Sequence, residues 1–184
     1  MKNLLNKKRI LEDKGVAAIE FALLFPVLLI MFVGIFDVSS LVFCRNKMVR
    51  TAQDVSNIVT RGDTTKSQLD SMLKAATLIA QPFDFNAFGN IIVTSVAHPD
   101  ADPKKPAQIM WRDSYPGGTG QSRITATNLP GGVVVAPNET VIFTEVFFTF
   151  NPLFSASIVG LGQTNIYQIA VAMPRQGTMT TLAP

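Results

Sequence analysis

Residues 15–36 read GVAAIEFALLFPVLLIMFVGIF. From Val16 to Phe36 the run carries one ionisable side chain, Glu20, in a stretch otherwise built of apolar and small residues. A helix needs about 20 predominantly apolar residues to cross the hydrocarbon core of a bilayer, so the segment is long enough to span. A charge at the bilayer centre costs roughly 2.5–3.5 kcal/mol on insertion scales and less near the edge. Glu20 lies about one turn inside the run, within reach of the headgroups. Two plain readings fit these facts: a single-pass anchor whose acid snorkels outward, and a secretory signal peptide. The apolar stretch exceeds the roughly 7–15 residues of a signal h-region, and no small-x-small cleavage site follows it, which counts against the second.

The flanks set the orientation. Residues 1–15 carry Lys2, Lys7, Lys8, Arg9 and Lys14 against Glu12 and Asp13, and short flanks rich in Lys and Arg stay cytoplasmic. Arg45, Lys47 and Arg50 follow the span, so the asymmetry is moderate, but a long C-terminal domain crosses largely regardless of its charge. The expected topology is N-terminus inside and C-terminus across the membrane. The formal net charge of +3 comes from the same leader: its five basic and two acidic residues account for all of it, and residues 16–184 are neutral. No stretch interleaves Arg or Lys with exposed aromatics, so a nucleic-acid surface is not expected.

Beyond Asp37 a helical stripe continues through Val38, Leu41, Val42, Met48, Val49, Ala52, Val55 and Val59, with polar residues between. Gly62 follows Thr60-Arg61 as a candidate C′ residue. A helix from Val16 to Arg61 would be about 69 Å long at about 1.5 Å per residue. Pro26 removes one backbone hydrogen bond and is expected to kink or loosen the span. Thr65 with Gln68 has the capping-box pattern. Leu69, Met72, Leu73, Ala76 and Ile79 or Ala80 then line one face of a second helix that Pro82 ends. Strand-like stretches rich in β-branched and aromatic residues follow at 91–96, 109–111, 133–135, 141–150 and 166–173. Turn formers separate them at His98-Pro99-Asp100, Pro116-Gly117-Gly118, Pro130-Gly131-Gly132 and Pro152. Helix first and strands later predicts an α+β fold with an antiparallel sheet packed on the long helix. Residues 141–150, with Phe143, Val146, Phe147, Phe148 and Phe150, are the expected central strand. The domain plan is a basic leader at 1–15, a transmembrane helix at 16–36, an amphipathic continuation at 37–62 and an extracytoplasmic head at 63–184. That head is about 120 residues, a usual domain size.

Little in the chain points to catalysis. His98, the one histidine, falls in a Pro/Asp turn and is expected as a solvent-exposed loop residue. Cys44 is the one cysteine, so no intramolecular disulfide can form, and it is expected to pack as a small hydrophobe. Asp100, Asp102 and Asp113 offer the hard oxygens that Ca²⁺ takes, at a spacing that matches no EF-hand loop. The Pro116-Gly117-Gly118-Thr119-Gly120 stretch lacks the Gly-Lys-Ser/Thr ending of a phosphate loop and reads as a flexible turn. No catalytic residue, cofactor, metal site or small-molecule substrate is expected.

The leader and span together resemble the type IV pilin superfamily, whose members have a short basic leader ending in Gly, cut before an apolar helix with Glu at the fifth mature position. Here that maps to cleavage between Gly15 and Val16, with Glu20 fifth. The continuation GVAAIEFALLFPVLLIMFVGIFDVSSLVFCRNKMVRTAQDVSNIVTRG is similar to the TadE-like domain of tight-adherence (Tad) pilus systems. The shared features are Glu20-Phe21-Ala22-Leu23, Pro26, the Gly34-Ile35-Phe36-Asp37 end of the span, and an Arg- and Ala-bearing amphipathic continuation. Val16 departs from the Phe or Met that many pilins have there. The aromatic strand followed by Pro152-Leu153 also resembles the C-terminal part of TadE- and TadG-like proteins.

The resemblance implies a minor pilin or pseudopilin, since major subunits of this pilus subclass are very short and this chain keeps a full head. It implies processing by a prepilin peptidase after Gly15. The implied partners are the major pilin, other minor pilins, an inner-membrane assembly platform and membrane lipid. Gly15 and Val16 would form the processing site, and Glu20 with Phe21 the subunit-register site, the Glu20 carboxylate pairing with a neighbour's freed α-amino group. The competing class is a membrane-tethered adhesin or ligand-binding module with a periplasmic head. A type II secretion pseudopilin is a near relative of the first reading.

Overall fold

The computed structural model describes residues 2–62, 64–100, 102, 105–116, 121–154, 162–175 and 179–182, with 2–14 described by backbone alone. The stretch 117–120, read from sequence as a turn, lies outside them. Helix α1 (Lys2–Val59) is unbroken through Pro26 and starts well before Val16, where the span was expected to begin. It enters two compact units, one comprising Met1–Leu41 and Pro152–Gly162, the other Val42–Asn151 and Gln163–Pro184.

In the first unit α1 presents its apolar surface bare. No residue of its most apolar 18-residue window is buried. Near the end of the run Asp37 is buried, and its carboxylate accepts the backbone N–H of Leu153 at 3.1 Å and of Phe154 at 3.2 Å.

The second unit is the α+β head. The stripe of α1 that it buries runs Cys44, Met48, Thr51 and Ala52, Val55 and Ser56, Val59, a three-to-four-residue recurrence that keeps one face inward. The expected stripe was wider at its start: Val38 and Val42 are exposed because helical rotation turns them away from the face that Cys44, Met48 and Val55 mark, whereas Leu41, near that face, is half-buried. Cys44 is fully covered, and burial pushes its thiol up to about 12. The helix ends as Thr60 donates its hydroxyl to Ser56 O at 2.8 Å, while Arg175 N–H reaches Thr60 O at 2.9 Å.

Helix α2 (Lys66–Ala76) has the capping box read from sequence: Thr65 Oγ1 accepts the Gln68 N–H, and Gln68 Oε1 accepts the Thr65 N–H. Its buried face is Leu69, Leu73 and Ala76, continued by Ala80 in the turns that follow. A four-residue helix α3 (Phe85–Phe88), capped by Asp84 accepting from Ala87 N–H, was not anticipated. Gly89 follows, and its lack of a side chain is used: a Cβ there would stand 2.7 Å from the Phe85 ring.

Four strands form one antiparallel sheet in the order β2-β1-β3-β4: β1 (Gly89–Ala97), β2 (Gln108–Tyr115), β3 (Thr140–Phe150) and β4 (Thr164–Ala172). The aromatic strand β3 is internal, as its composition implied, and so is β1, which is buried along nearly its whole length. Along β3 the even-numbered side meets Phe83, through Phe148 and Phe150 at 6.0 and 6.3 Å between ring centroids, and Phe83 in turn meets Phe43 of α1 at 5.8 Å. The odd-numbered side carries Val141 and Phe143, which pack with Val96, Ile124 and Val135 under the segment between β2 and β3.

The expected strand at Val133–Val135 does not form. Gly131 and Gly132 both take positive φ (71° and 68°), and Asn138 does so just beyond, so turns bound the run on both sides and it joins no strand of the sheet. Its alternation serves packing instead: Val135 is buried and Val133 half-buried against the sheet, whereas Val134 points to solvent at 86% exposure.

Candidate functional site

The predicted site residues sit together at the N-terminal end of the bare apolar surface of α1. Gly15, Val16, Glu20 and Phe21 are all exposed, and the Phe21 ring approaches Phe25 one turn on, at 5.7 Å between centroids. A Cβ at Gly15 would meet nothing within 4 Å, so the surrounding described chain places no steric demand for glycine there. Among the described residues no cation forms an ion pair with Glu20. A lone carboxylate on an uncovered apolar helix has no use for that surface within the described fold. Such surface calls for a lipid or protein cover, and a carboxylate inside the cover calls for a partner charge.

The head holds a second polar constellation, centred on Glu145. This residue is fully buried in the middle of β3 (0% exposed). Its carboxylate accepts from the Ser122 hydroxyl, from the Arg123 backbone N–H at 2.9 Å and from the Tyr167 hydroxyl at 3.0 Å. Ser122 Oγ also accepts the Ile124 N–H at 3.2 Å. The acid thus pins the 122–124 crossing onto the odd-numbered face of the sheet. Arg123 lies over the Tyr167 ring, 4.3 Å from its centroid, and 5.8 Å from that of Phe147. Burial, the Glu145 charge and the Glu145 hydrogen bond hold the Tyr167 phenol well above its ordinary pKa, and Arg123 opposes them. A groove of about 520 Å³ opens beside this cluster, lined in part by Arg123, Phe147, Tyr167, Asn90 and Asn165. Sequence reading passed over Glu145. The available signal was one acid inside an otherwise apolar and hydroxyl-bearing strand, at a position that alternation places on a covered face.

His98 corrects the expectation of a solvent-exposed residue. It is 4% exposed, with Nδ1 2.7 Å from Asp100 O and Nε2 2.7 Å from Lys105 O. The carbonyls of Asp100 and Lys105 each meet one ring nitrogen, so a loop position in sequence is a buried one in space. The three aspartates weighed as Ca²⁺ ligands are not gathered. Asp100 faces Lys105 and the Asp102 N–H, Asp113 on β2 accepts the Ser114 N–H, and among the described residues no group of three acids, cysteines or histidines could hold a metal.

These features define a class: an α+β head carried on a long N-terminal helix, of which one stretch is long and apolar enough to cross a membrane, as in single-pass membrane proteins. Within that class, residues 15–56 match the family model described as TadE-like protein, beginning at Gly15 and including Glu20, Pro26, Asp37 and the buried stripe as far as Val55 and Ser56. The match and the resemblance read from the sequence fall on the same residues. No curated protein matches the chain, and no solved structure does.

Proposed function

We propose that this chain is a minor pilin or pseudopilin needed for assembly of a Tad-type pilus, with a structural rather than catalytic role. A prepilin peptidase cleaves after Gly15, and the subunit enters the filament through the helix that then begins at Val16. The observation that carries this reading is Glu20: a carboxylate five residues after Gly15, exposed on an uncovered apolar helix without an ion-pair partner among the described residues. The TadE-like match beginning at Gly15 supports it.

Cleavage creates an α-amino group on Val16, which is cationic near neutral pH. Two unit charges about 4 Å apart attract by about 4 kcal/mol at an effective dielectric of about 20. Removing one partner of a buried pair costs about 3–5 kcal/mol. One Glu20–amine pair per neighbouring contact therefore distinguishes the correct axial register from slipped ones that bury equal apolar area. Phe21 and the bare helix surface supply the apolar contacts around it. In this account the N-terminus is cytoplasmic before cleavage, the helix crosses the inner membrane, and the head is periplasmic until the subunit joins the pilus. Major pilin, other minor pilins, the assembly platform and lipid are its partners.

The test separates processing from assembly. Glu20→Leu should insert and be cleaved yet leave cells without pili, whereas Gly15→Phe should leave a full-length band on a gel. Normal piliation with Glu20→Leu would remove the register role. A membrane-tethered adhesin is the second reading, and the groove beside Arg123 and Tyr167 favours it. Under that reading, deletion would abolish adhesion while pili still form.

A further inference from the structure

Phe36 closes the apolar run of α1, and Asp37 directly after it holds a turn from far along the chain. Its carboxylate accepts the N–H groups of Leu153 and Phe154, and the Phe154 ring meets the Phe36 ring edge-on at 5.4 Å. Leu153 nevertheless stands 66% exposed and Phe154 41%, and Phe32, Ile35 and Val38 are exposed on the adjoining helix turns. Two large apolar side chains are thus presented outward at the level where the bare helix surface ends.

We propose that the Pro152–Phe154 turn is a second membrane contact, with Leu153 and Phe154 seated in the interfacial layer of the bilayer and Asp37 holding them there. The inference rests on the reading of Val16–Phe36 as a span. At about 1.5 Å per residue that run is about 31 Å long, close to the roughly 30 Å of a hydrocarbon core. Phe36 therefore falls at one edge, and a backbone bonded to Asp37 sits at headgroup depth. Leu and Phe side chains are the kind that bury at the headgroup–acyl boundary. The Asp37 interaction suits that depth in both directions. Two N–H donors compensate a carboxylate held away from bulk water, and the carboxylate satisfies backbone groups that lipid cannot. Lipid is the occupant because the patch continues directly into the surface of the span.

Depth-dependent quenching tests this on the full chain in phosphatidylcholine–phosphatidylglycerol vesicles. Trp111 is the one tryptophan, so Leu153→Trp in a Trp111→Phe background gives a single reporter. Its emission should be blue-shifted and quenched about twofold or more by bromines high on the acyl chain, and less by bromines near the chain ends, as expected for a side chain about 5–10 Å into the boundary. Leu28→Trp, inside the span, should show the reverse order, and Val134→Trp should be unquenched. Adding Asp37→Ala should abolish the Leu153→Trp quenching. An NBD label on Leu153→Cys in a Cys44→Ala background repeats the measurement with Trp111 intact. Quenching at Leu28 with none at Leu153 overturns the inference and leaves the span standing; none at either overturns both. Shielding of Leu153 that grows with protein concentration and ignores bromine assigns the patch to a second copy and overturns the lipid contact. Quenching that survives Asp37→Ala removes the role of Asp37.

Discussion

Replacing Glu145 by leucine is the sharpest perturbation of the head. Three donors point at its carboxylate, from Ser122 Oγ, Arg123 N and Tyr167 OH. Leucine fills similar space and offers them nothing. A buried donor left without an acceptor costs about 1–3 kcal/mol. Ser122 and Tyr167 are half-buried and their hydroxyls can turn partly to water; Arg123 is exposed as a residue, but its backbone N–H is fixed in direction and cannot turn away, so it is the chief loss. The expected destabilisation is about 2–4 kcal/mol. For a head unit of about 130 residues this lowers Tm by roughly 10 °C. Glu145→Gln tests the mechanism. Its amide oxygen can take both bonds made to Oε1, its NH₂ can donate to Ser122 Oγ, and the loss should stay near 1 kcal/mol, the net worth of one hydrogen bond. Removing a buried charge can itself stabilise a protein when apolar groups replace every partner; here the donors remain, so the leucine variant must lose. The assay is thermal unfolding of the full chain in detergent, followed by fluorescence of Trp111 on β2, which reports the head rather than α1. Wild-type stability in Glu145→Leu would refute the acceptor role. Equal damage from leucine and glutamine would show that charge, not hydrogen-bond geometry, is what the site requires.

Two further outcomes follow from the same head. The Tyr167 phenol is raised by burial and by Glu145, so the folded state favours its protonated form. That contribution is fully present below the unfolded phenol pKa of about 10 and is lost as pH rises through the higher folded value. Alkaline unfolding curves of Tyr167→Phe should therefore fall less steeply above about pH 10 than those of the wild type, and identical curves would contradict the shift. Gly89→Ala should destabilise the head by about 1–3 kcal/mol through overpacking against the Phe85 ring, read as a lowered guanidinium midpoint with an unchanged slope.

The elements that were legible in the sequence are those whose causes are local. The Thr65–Gln68 capping box needs only residues three apart, and β3 announces itself through Phe143, Phe147, Phe148 and Phe150 in one run. The family resemblance is equally local, carried by consecutive residues from Gly15 onward, and the family match covers residues 15–56. What escaped depends on distant chain. Val133–Val135 has strand composition, but it joins no strand; Val135 is instead buried against residues distant in sequence, Val96 and Phe143 among them. His98 reads as an exposed turn residue because its neighbours are Pro99 and Asp100; it is buried because the chain returns at Lys105 with a second carbonyl. Asp37 looks like the polar end of a span, and nothing near it foretells its bond to Leu153, 116 residues on.

The pilus account depends on an amine that does not exist until the chain is cut. The most direct measurement is Edman or mass-spectrometric determination of the first residue of the protein isolated from cell membranes and from sheared pili. The account predicts a chain beginning at Val16 in both fractions. A chain that still begins at Met1 would leave Glu20 without its partner and contradict assembly through that pair.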